Sequence, residues 1–322
     1  MSSVLFDIQK LEKKYSLGGG FLQQKPRIIR AVNGVDLQIF EGETLGLVGE
    51  SGCGKSTLAR LLMKLEEPDE GSVSFRDRDI TSLSSEDVKT YRRRVQMIFQ
   101  DPYSSLNPRK SARSIISEPL TIFRTSNRTE RNEKTLQLMK KVGLSEEQAR
   151  RYPHEFSGGQ RQRIGIARAL ALQPELIIAD EPVSALDASI QAQILNLLRD
   201  LKKDFGLTYL FISHDLNVIH HVSDRIAVMY LGRIVELADK NELYREPLHP
   251  YTRMLMAAMP GCAPQRKKRE LPVLGEAGDA GEAGCSFKSR CIYKIDVCEE
   301  QQPALELYEE RRWCACHRAE GI

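Results

Sequence analysis

Apolar residues along this chain fall into short continuous runs separated by stretches of helical spacing. Thr44 to Val48 is such a run, followed by a glycine-rich turn and then by Leu58, Leu61, Leu62 and Leu65 at helical intervals, which predicts strand, loop, helix. A polar stretch from Arg76 to Arg94 leads to a second apolar run, Val95 to Phe99. The charged segment from about Asp101 to Phe156 carries helical patches and is expected to be an inserted helical subdomain. Two further runs, Leu176 to Ala179 and Leu207 to Ile212, are apolar without alternation, as central parallel strands covered on both faces require. Strand and helix therefore alternate, which predicts an α/β core with a mostly parallel sheet. After Pro260 come a basic run, Arg266 to Arg269, and a glycine, alanine and glutamate stretch, Gly275 to Gly284, read together as a linker. Beyond it five of the seven cysteines crowd between Cys285 and Cys316.

Composition narrows the class. With 322 residues, 41% hydrophobic and 28% charged, the chain suits one large globular domain plus a smaller appendage. No run approaches the roughly 18 apolar residues of a membrane span, and Met1 to Lys10 lacks the layout of an export signal, so a cytosolic protein is expected. A net charge of +3, with both signs interspersed, argues against a nucleic-acid partner. Cysteines in such a chain point away from a disulfide framework.

Gly49-Glu50-Ser51-Gly52-Cys53-Gly54-Lys55-Ser56 fits G-x-x-x-x-G-K-[ST] and sits after a strand and before a helix, where the motif belongs. Glycines let backbone N–H groups turn inward to form an anion cradle, and the helix start adds its positive dipole end. Lys55 is expected to bridge the β- and γ-phosphates of ATP and Ser56 to ligate Mg²⁺, with Thr57 beside it.

Leu176-Ile177-Ile178-Ala179-Asp180-Glu181 is an apolar strand ending in two acids. Ligands of open α/β sheets bind beyond the carboxyl ends of strands, so Asp180 is expected to hold Mg²⁺ and Glu181 to orient and deprotonate the attacking water. His214 follows the run ending at Ile212, where it can hydrogen-bond the phosphate oxygen that gains charge. Without the phosphate loop, the same acids would read as a cap or turn and the histidine as structural.

Phe156-Ser157-Gly158-Gly159-Gln160 precedes Ile164, Ala167, Leu170 and Ala171 at helical spacing. Ser157 with Gln160 fits a capping box. The two glycines strip side chains from a positively polarised helix end, which suits the γ-phosphate held by a second subunit.

With these motifs in order, the chain resembles the nucleotide-binding subunits of ATP-binding-cassette (ABC) transporters over about residues 1–260. The resemblance implies a P-loop NTPase (RecA-like) core, an N-terminal antiparallel β subdomain and a helical subdomain at about 101–156. It implies that Gln100 senses Mg²⁺ and the γ-phosphate, that Asp187 in Ser184-Ala185-Leu186-Asp187 links two composite sites, and that Tyr15 or Phe21 stacks on adenine. Two ATP-binding subunits, the chain with itself or a paralogue, would close around two ATP molecules. Soluble ABC proteins of DNA repair carry a long insertion between Gln100 and Ser157, which is short here, and ribosome-acting ones need two cassettes.

Phe99 to Arg109, Ser189 to Gln193 and His249-Pro250-Tyr251-Thr252 look like the dipeptide and oligopeptide importers, which also serve nickel and glutathione, and closer to the second of their two paired ATPases. The implied partners are two transmembrane permease subunits and an extracytoplasmic substrate-binding protein, with this chain peripheral on the cytoplasmic face of the inner membrane. That subfamily carries a C-terminal cysteine module, here residues 285–322 after a linker at 261–284. Cys285, Cys291, Cys298 and Cys316 match it, and some members hold a [4Fe-4S] cluster there. Zinc and no metal remain alternatives, and Cys314 competes with Cys316 as the fourth ligand. Cys53 and Cys262 stand outside the set.

Overall fold

The computed structural model describes residues 3–17, 27–125, 127–258 and 283–319. Phe21, Cys262, the 266–269 basic run and nearly all of the linker lie outside the described residues. The chain divides into two compact units, residues 1–82 with 213–322, and residues 83–212.

The first unit opens with an antiparallel sheet. Strands Val4–Leu17 and Arg27–Phe40 pair along their length, Glu70–Phe75 adds to the free edge of the first, and Arg78–Asp79 follows. Leu5, Phe6, Ile8, Leu11, Val35 and Ile39 are buried, and burial of side chains of this size, about 1.5–3 kcal/mol each, holds the sheet to its unit. A second sheet places Thr44–Val48 parallel to Arg225–Tyr230. Arg233–Asp239 then pairs antiparallel with Arg225–Tyr230. The C-terminal hairpin, Glu306–Glu309 with Arg312–Cys314, extends that edge, with Glu236 opposite Cys314. All five residues of Thr44–Val48 are buried, which explains the lack of alternation.

The second unit holds three parallel strands, Val95–Ile98, Leu176–Asp180 and Thr208–Ser213, in register from Val95 opposite Leu176 and Leu176 opposite Thr208. Helices Gly158–Leu170 and Ala188–Phe205 connect them in sequence. The expected helical insert contains Ala112–Ile122 and Arg128–Lys141, then 3₁₀ turns at Glu146–Arg150 and Pro153–Glu155. Ser111 caps the first helix by accepting from Ser114 N–H, and Asn127 with Glu130 forms a capping box on the second. The polar stretch Arg76 to Arg94 also contains a helix, Ser85–Arg94. It is capped by Ser84, with Glu86 and Asp87 in its first turn and three arginines in its last, as the helix dipole favours.

Candidate functional site

Thr44–Val48 delivers the chain to the Gly49–Gly54 loop, and helix Lys55–Leu62 leaves it. Gly54 takes φ +109° as the helix N-cap, a conformation closed to residues with a Cβ. Neighbouring backbone imposes a second demand that the motif alone does not reveal. A Cβ on Gly54 would lie 2.0 Å from the Ala31 carbonyl oxygen, and one on Gly49 2.1 Å from that of Met229. The Lys55 ammonium is buried and donates to Gly49 O at 2.7 Å and Glu50 O at 2.9 Å. A fixed positive charge thus lies against the turn of the loop, with the helix N–H groups beside it. Burial pushes the Cys53 thiol up, against the pull of Lys55. Ser51 and Gly52 are exposed, while Ser56 and Thr57 are half-buried on the helix's first turn.

Tyr15 lies on strand Val4–Leu17 of the same unit, its hydroxyl donating to the Glu66 carboxylate. Partial burial raises its phenol, Glu66 adds to the rise, and a hydrogen bond with Thr57 opposes it. The tyrosine is therefore tied to the helix that follows the phosphate loop. His214 is exposed, between Ser213, whose Oγ accepts from Asp215 N–H at 3.0 Å, and Asp215, which caps helix Leu216–Val222.

In the second unit, the strand Leu176–Asp180 is buried throughout and ends on Asp180, a carboxylate 6% exposed. The chain then turns through Glu181 at φ +45°, a left-handed conformation that costs a non-glycine residue on the order of 1–3 kcal/mol. Glu181 N–H is satisfied by Ile212 O at 2.9 Å, and the Glu181 carbonyl accepts from Ser184 Oγ at 3.1 Å. This strained turn aims the carboxylate at Gln100, whose Nε2 donates to Glu181 Oε2 at 2.9 Å. Strand Val95–Ile98 supplies Gln100 just past its carboxyl end, and its neighbour supplies Glu181, so parallel register brings together two residues 81 positions apart.

The capping box predicted at Ser157 is present: Ser157 Oγ accepts from Gln160 N–H at 3.4 Å, and Gln160 Oε1 accepts from Ser157 N–H at 3.1 Å. Arg161 Nε donates to Pro153 O at 2.6 Å, fixing the entry to the helix. Ser157 is exposed and Gly158 half-exposed, but Gly159 is buried against Ile190. Packing, and not only access for a phosphate, therefore accounts for the second glycine. Asp187 is the N-cap residue of helix Ala188–Phe205 without a capping bond from its side chain; its carbonyl accepts from Gln191 N–H at 2.8 Å.

In the C-terminal segment, Cys285, Cys291, Cys298 and Cys316 line one cavity together with His249 and Phe287. Burial pushes the Cys285 thiol up to about 11, and the other three cysteines of the cavity add to the rise. Cys314 is absent from this cavity; burial raises its thiol first and the charge of Glu236 second. Among the described residues, no group of three or more His, Cys, Asp or Glu side chains is placed to hold a metal ion.

Residues 32–184 match the family model for ABC transporters, and residues 235–298 match that for the C-terminal region of oligopeptide and dipeptide transporters. The oligopeptide transport ATP-binding protein AppF of Bacillus subtilis is 51% identical over 318 residues, 97% of each chain. OppF, the oligopeptide transport ATP-binding protein of Escherichia coli, is 47% identical over 310 residues, 94% of this chain and 93% of that one. A dimeric ATP-binding cassette solved in a post-hydrolysis state with ADP and Pi is 32% identical, with a TM-score of 0.65, and covers 73% of this chain and 98% of its own. Among the described residues, no helix is long and apolar enough to cross a membrane.

Proposed function

The chain belongs to the ABC transporter family of ATP-hydrolysing subunits, and on that premise we propose that it powers the import of oligopeptides or dipeptides through the residues described above. ATP binds with its phosphates on the Gly49 to Ser56 loop and Lys55 against the β- and γ-oxygens, its adenine on Tyr15. The Ser56 hydroxyl, the Asp180 carboxylate and Gln100 offer the hard oxygen donors that Mg²⁺ takes; that ion, when bound, neutralises charge on the phosphates. Glu181 accepts the proton of the attacking water as its oxygen bonds to the γ-phosphorus and the bond to the ADP oxygen breaks. His214 hydrogen-bonds the oxygen that gains charge. Ser157, Gly158, Gly159 and Gln160 clamp the γ-phosphate held by a second ATP-binding subunit, and Asp187 links the two sites.

The observation that carries this reading is the hydrogen bond from Gln100 to Glu181, made possible by the strained turn at Glu181. A structural carboxylate would be served by a relaxed turn; a general base needs its oxygen held in one orientation. Glu181→Gln should keep ATP binding and trap the closed pair of subunits, while turnover nearly disappears. Unchanged hydrolysis would refute the role.

The partners we propose are a paralogous ATPase or a second copy, two transmembrane permease subunits docked near Gln100 and the helical insert, and an extracytoplasmic substrate-binding protein. The chain would then be peripheral on the cytoplasmic face of the inner membrane, as the second of the two paired ATPases. We keep residues 1–260, 261–284 and 285–322 as cassette, linker and cysteine module. Peptide cargo, over nickel or glutathione, is favoured by the names of the relatives.

We further propose that Cys285, Cys291, Cys298 and Cys316 hold a [4Fe-4S] cluster. Zinc would require four sulfurs within about 2.3 Å of one point. A cubane of iron and sulfide is held by thiolates at its corners, and the four cysteines that line one cavity supply that ligand set. Anaerobically purified protein should then show a broad visible absorbance band and bound iron. A colourless, iron-free sample would sink the assignment.

A further inference from the structure

Glu50, the second residue of the phosphate loop, is gripped at four atoms. Its carboxylate receives a two-pronged salt bridge from Arg290, Nη1 to Oε2 at 2.9 Å and Nη2 to Oε1 at 3.0 Å. Its N–H donates to the Tyr251 hydroxyl at 2.9 Å, and its carbonyl accepts from Lys55 at 2.9 Å. Arg290 belongs to the cysteine module. Its N–H donates to Phe287 O at 3.1 Å in the turn that runs from Cys285 to Cys291, two of the four cysteines lining the cavity. The guanidinium side chain is only 8% exposed and lies 5.8 Å from the Phe287 ring centroid and 5.9 Å from that of Tyr230. Phe287, Tyr230 and Tyr251 pack on one another, with centroids 4.6 to 5.6 Å apart, against that guanidinium.

A carboxylate on a triphosphate loop is a liability, because it repels the ligand. The Arg290 fork neutralises that charge and at the same time fixes the side chain, which a bidentate pair does with more directional precision than a lysine could. We propose that Arg290 is a positioning residue for nucleotide binding: through Glu50 it couples the cysteine cavity to the affinity of the phosphate loop for ATP. This goes beyond, and rests on, the reading of that loop as the ATP site, but it holds whichever group the cavity binds. A fork that merely anchored the module would affect stability and leave nucleotide affinity alone.

The test is titration of full-length protein with Mg-ATP, followed by equilibrium binding, with thermal unfolding recorded for every variant to establish folding. Arg290→Met exposes the Glu50 charge to the phosphates and should weaken ATP binding about tenfold, more at low salt than at high salt. Arg290→Lys keeps the charge but not the fork and should fall between. Glu50→Gln alone removes the fork and the charge together, and adding it to Arg290→Met should recover much of that variant's loss. Cys291→Ser should weaken binding in the same direction and add little to Arg290→Met, because both act through one path. A folded Arg290→Met protein that binds ATP like the parent, or a double variant no better than Arg290→Met, overturns the coupling. Failure of the parent protein itself to bind ATP would instead overturn the ATP-site reading, and the coupling with it.

Discussion

Gly159, in the first turn of helix Gly158–Leu170, lies so close to Ile190 that a Cβ built on it would stand 2.5 Å from that side chain's Cγ2. Ile190 belongs to helix Ala188–Phe205, where a β-branched side chain has essentially one rotamer and cannot swing aside. Gly159→Ala should therefore destabilise the protein by about 1–3 kcal/mol, the usual cost of overpacking. Shortening the obstacle in Gly159→Ala/Ile190→Ala should return part of that loss, although Ile190→Ala alone is destabilising. Denaturant unfolding of the four proteins reads the coupling directly; strict additivity would show that the contact is not the reason for glycine here.

Gln100 and Glu181 should separate turnover from binding. Gln100→Leu keeps the volume but removes the donor at 2.9 Å, so the carboxylate loses its fixed orientation. Misplacement of a reacting group by about 1 Å can cost on the order of a hundredfold in rate, whereas on the proposed reading ATP affinity comes mainly from the phosphate loop. The expected result is a fall in kcat much larger than any change in KM for ATP. An equal loss in both would mean that Gln100 acts on binding and not on the base.

These contacts also mark how far the sequence could be read. The strand, loop and helix from Thr44 to Leu62 and the capping box at Ser157 are local, set by residues within a few positions, and both were legible. Helix Ser85–Arg94 was not, because Tyr91 is its only buried residue and an apolar stripe scarcely exists. The carbonyls of Ala31 and Met229, which forbid side chains at Gly54 and Gly49, approach from distant strands and leave no local trace. Arg290 and Glu50 are 240 positions apart, and an arginine before a cysteine carries no signal that it will reach a phosphate loop. Tertiary contacts of this kind follow from the fold and not from any periodicity.

Acidity should report on Glu43. Burial lifts its carboxyl above the ordinary carboxylate value, against the pull of Arg225, whose Nη1 reaches both carboxylate oxygens at 3.2 and 3.3 Å. A carboxyl whose folded-state pKa is raised binds more protons folded than unfolded. Its contribution to stability is complete below the unfolded value near 4.5 and is lost as pH rises through the higher folded one. Glu43→Gln does not titrate, and it also weakens the partner of Arg225, so it should be the less stable protein at acid pH. The gap should narrow as pH climbs from about 4.5 toward neutrality. Unfolding free energies measured in parallel across that range check the sign, and a gap that widens with pH would contradict it.

The two neighbouring cysteines near the C-terminus make the sharpest comparison. Cys316 lines the cavity with Cys285, Cys291 and Cys298, whereas Cys314 is buried on the strand that pairs with Arg233–Asp239, beside Glu236. The alternation of side chains along that extended segment does not by itself divide them, since residues two apart share a face. The division arises because the strand Arg312–Cys314 ends between them and Cys316 lies in the following turn, where Arg318 N–H donates to its sulfur at 3.4 Å. A cluster ligand replaced by serine loses a thiolate, and iron held by three sulfurs is readily lost. If the proposed cluster is held there, Cys316→Ser should abolish the visible absorbance and most of the bound iron of anaerobically purified protein. Cys314→Ser should keep both, at the modest stability cost of a polar hydroxyl in a buried site. Loss of colour in Cys314→Ser with colour retained in Cys316→Ser would reverse the assignment of the fourth ligand.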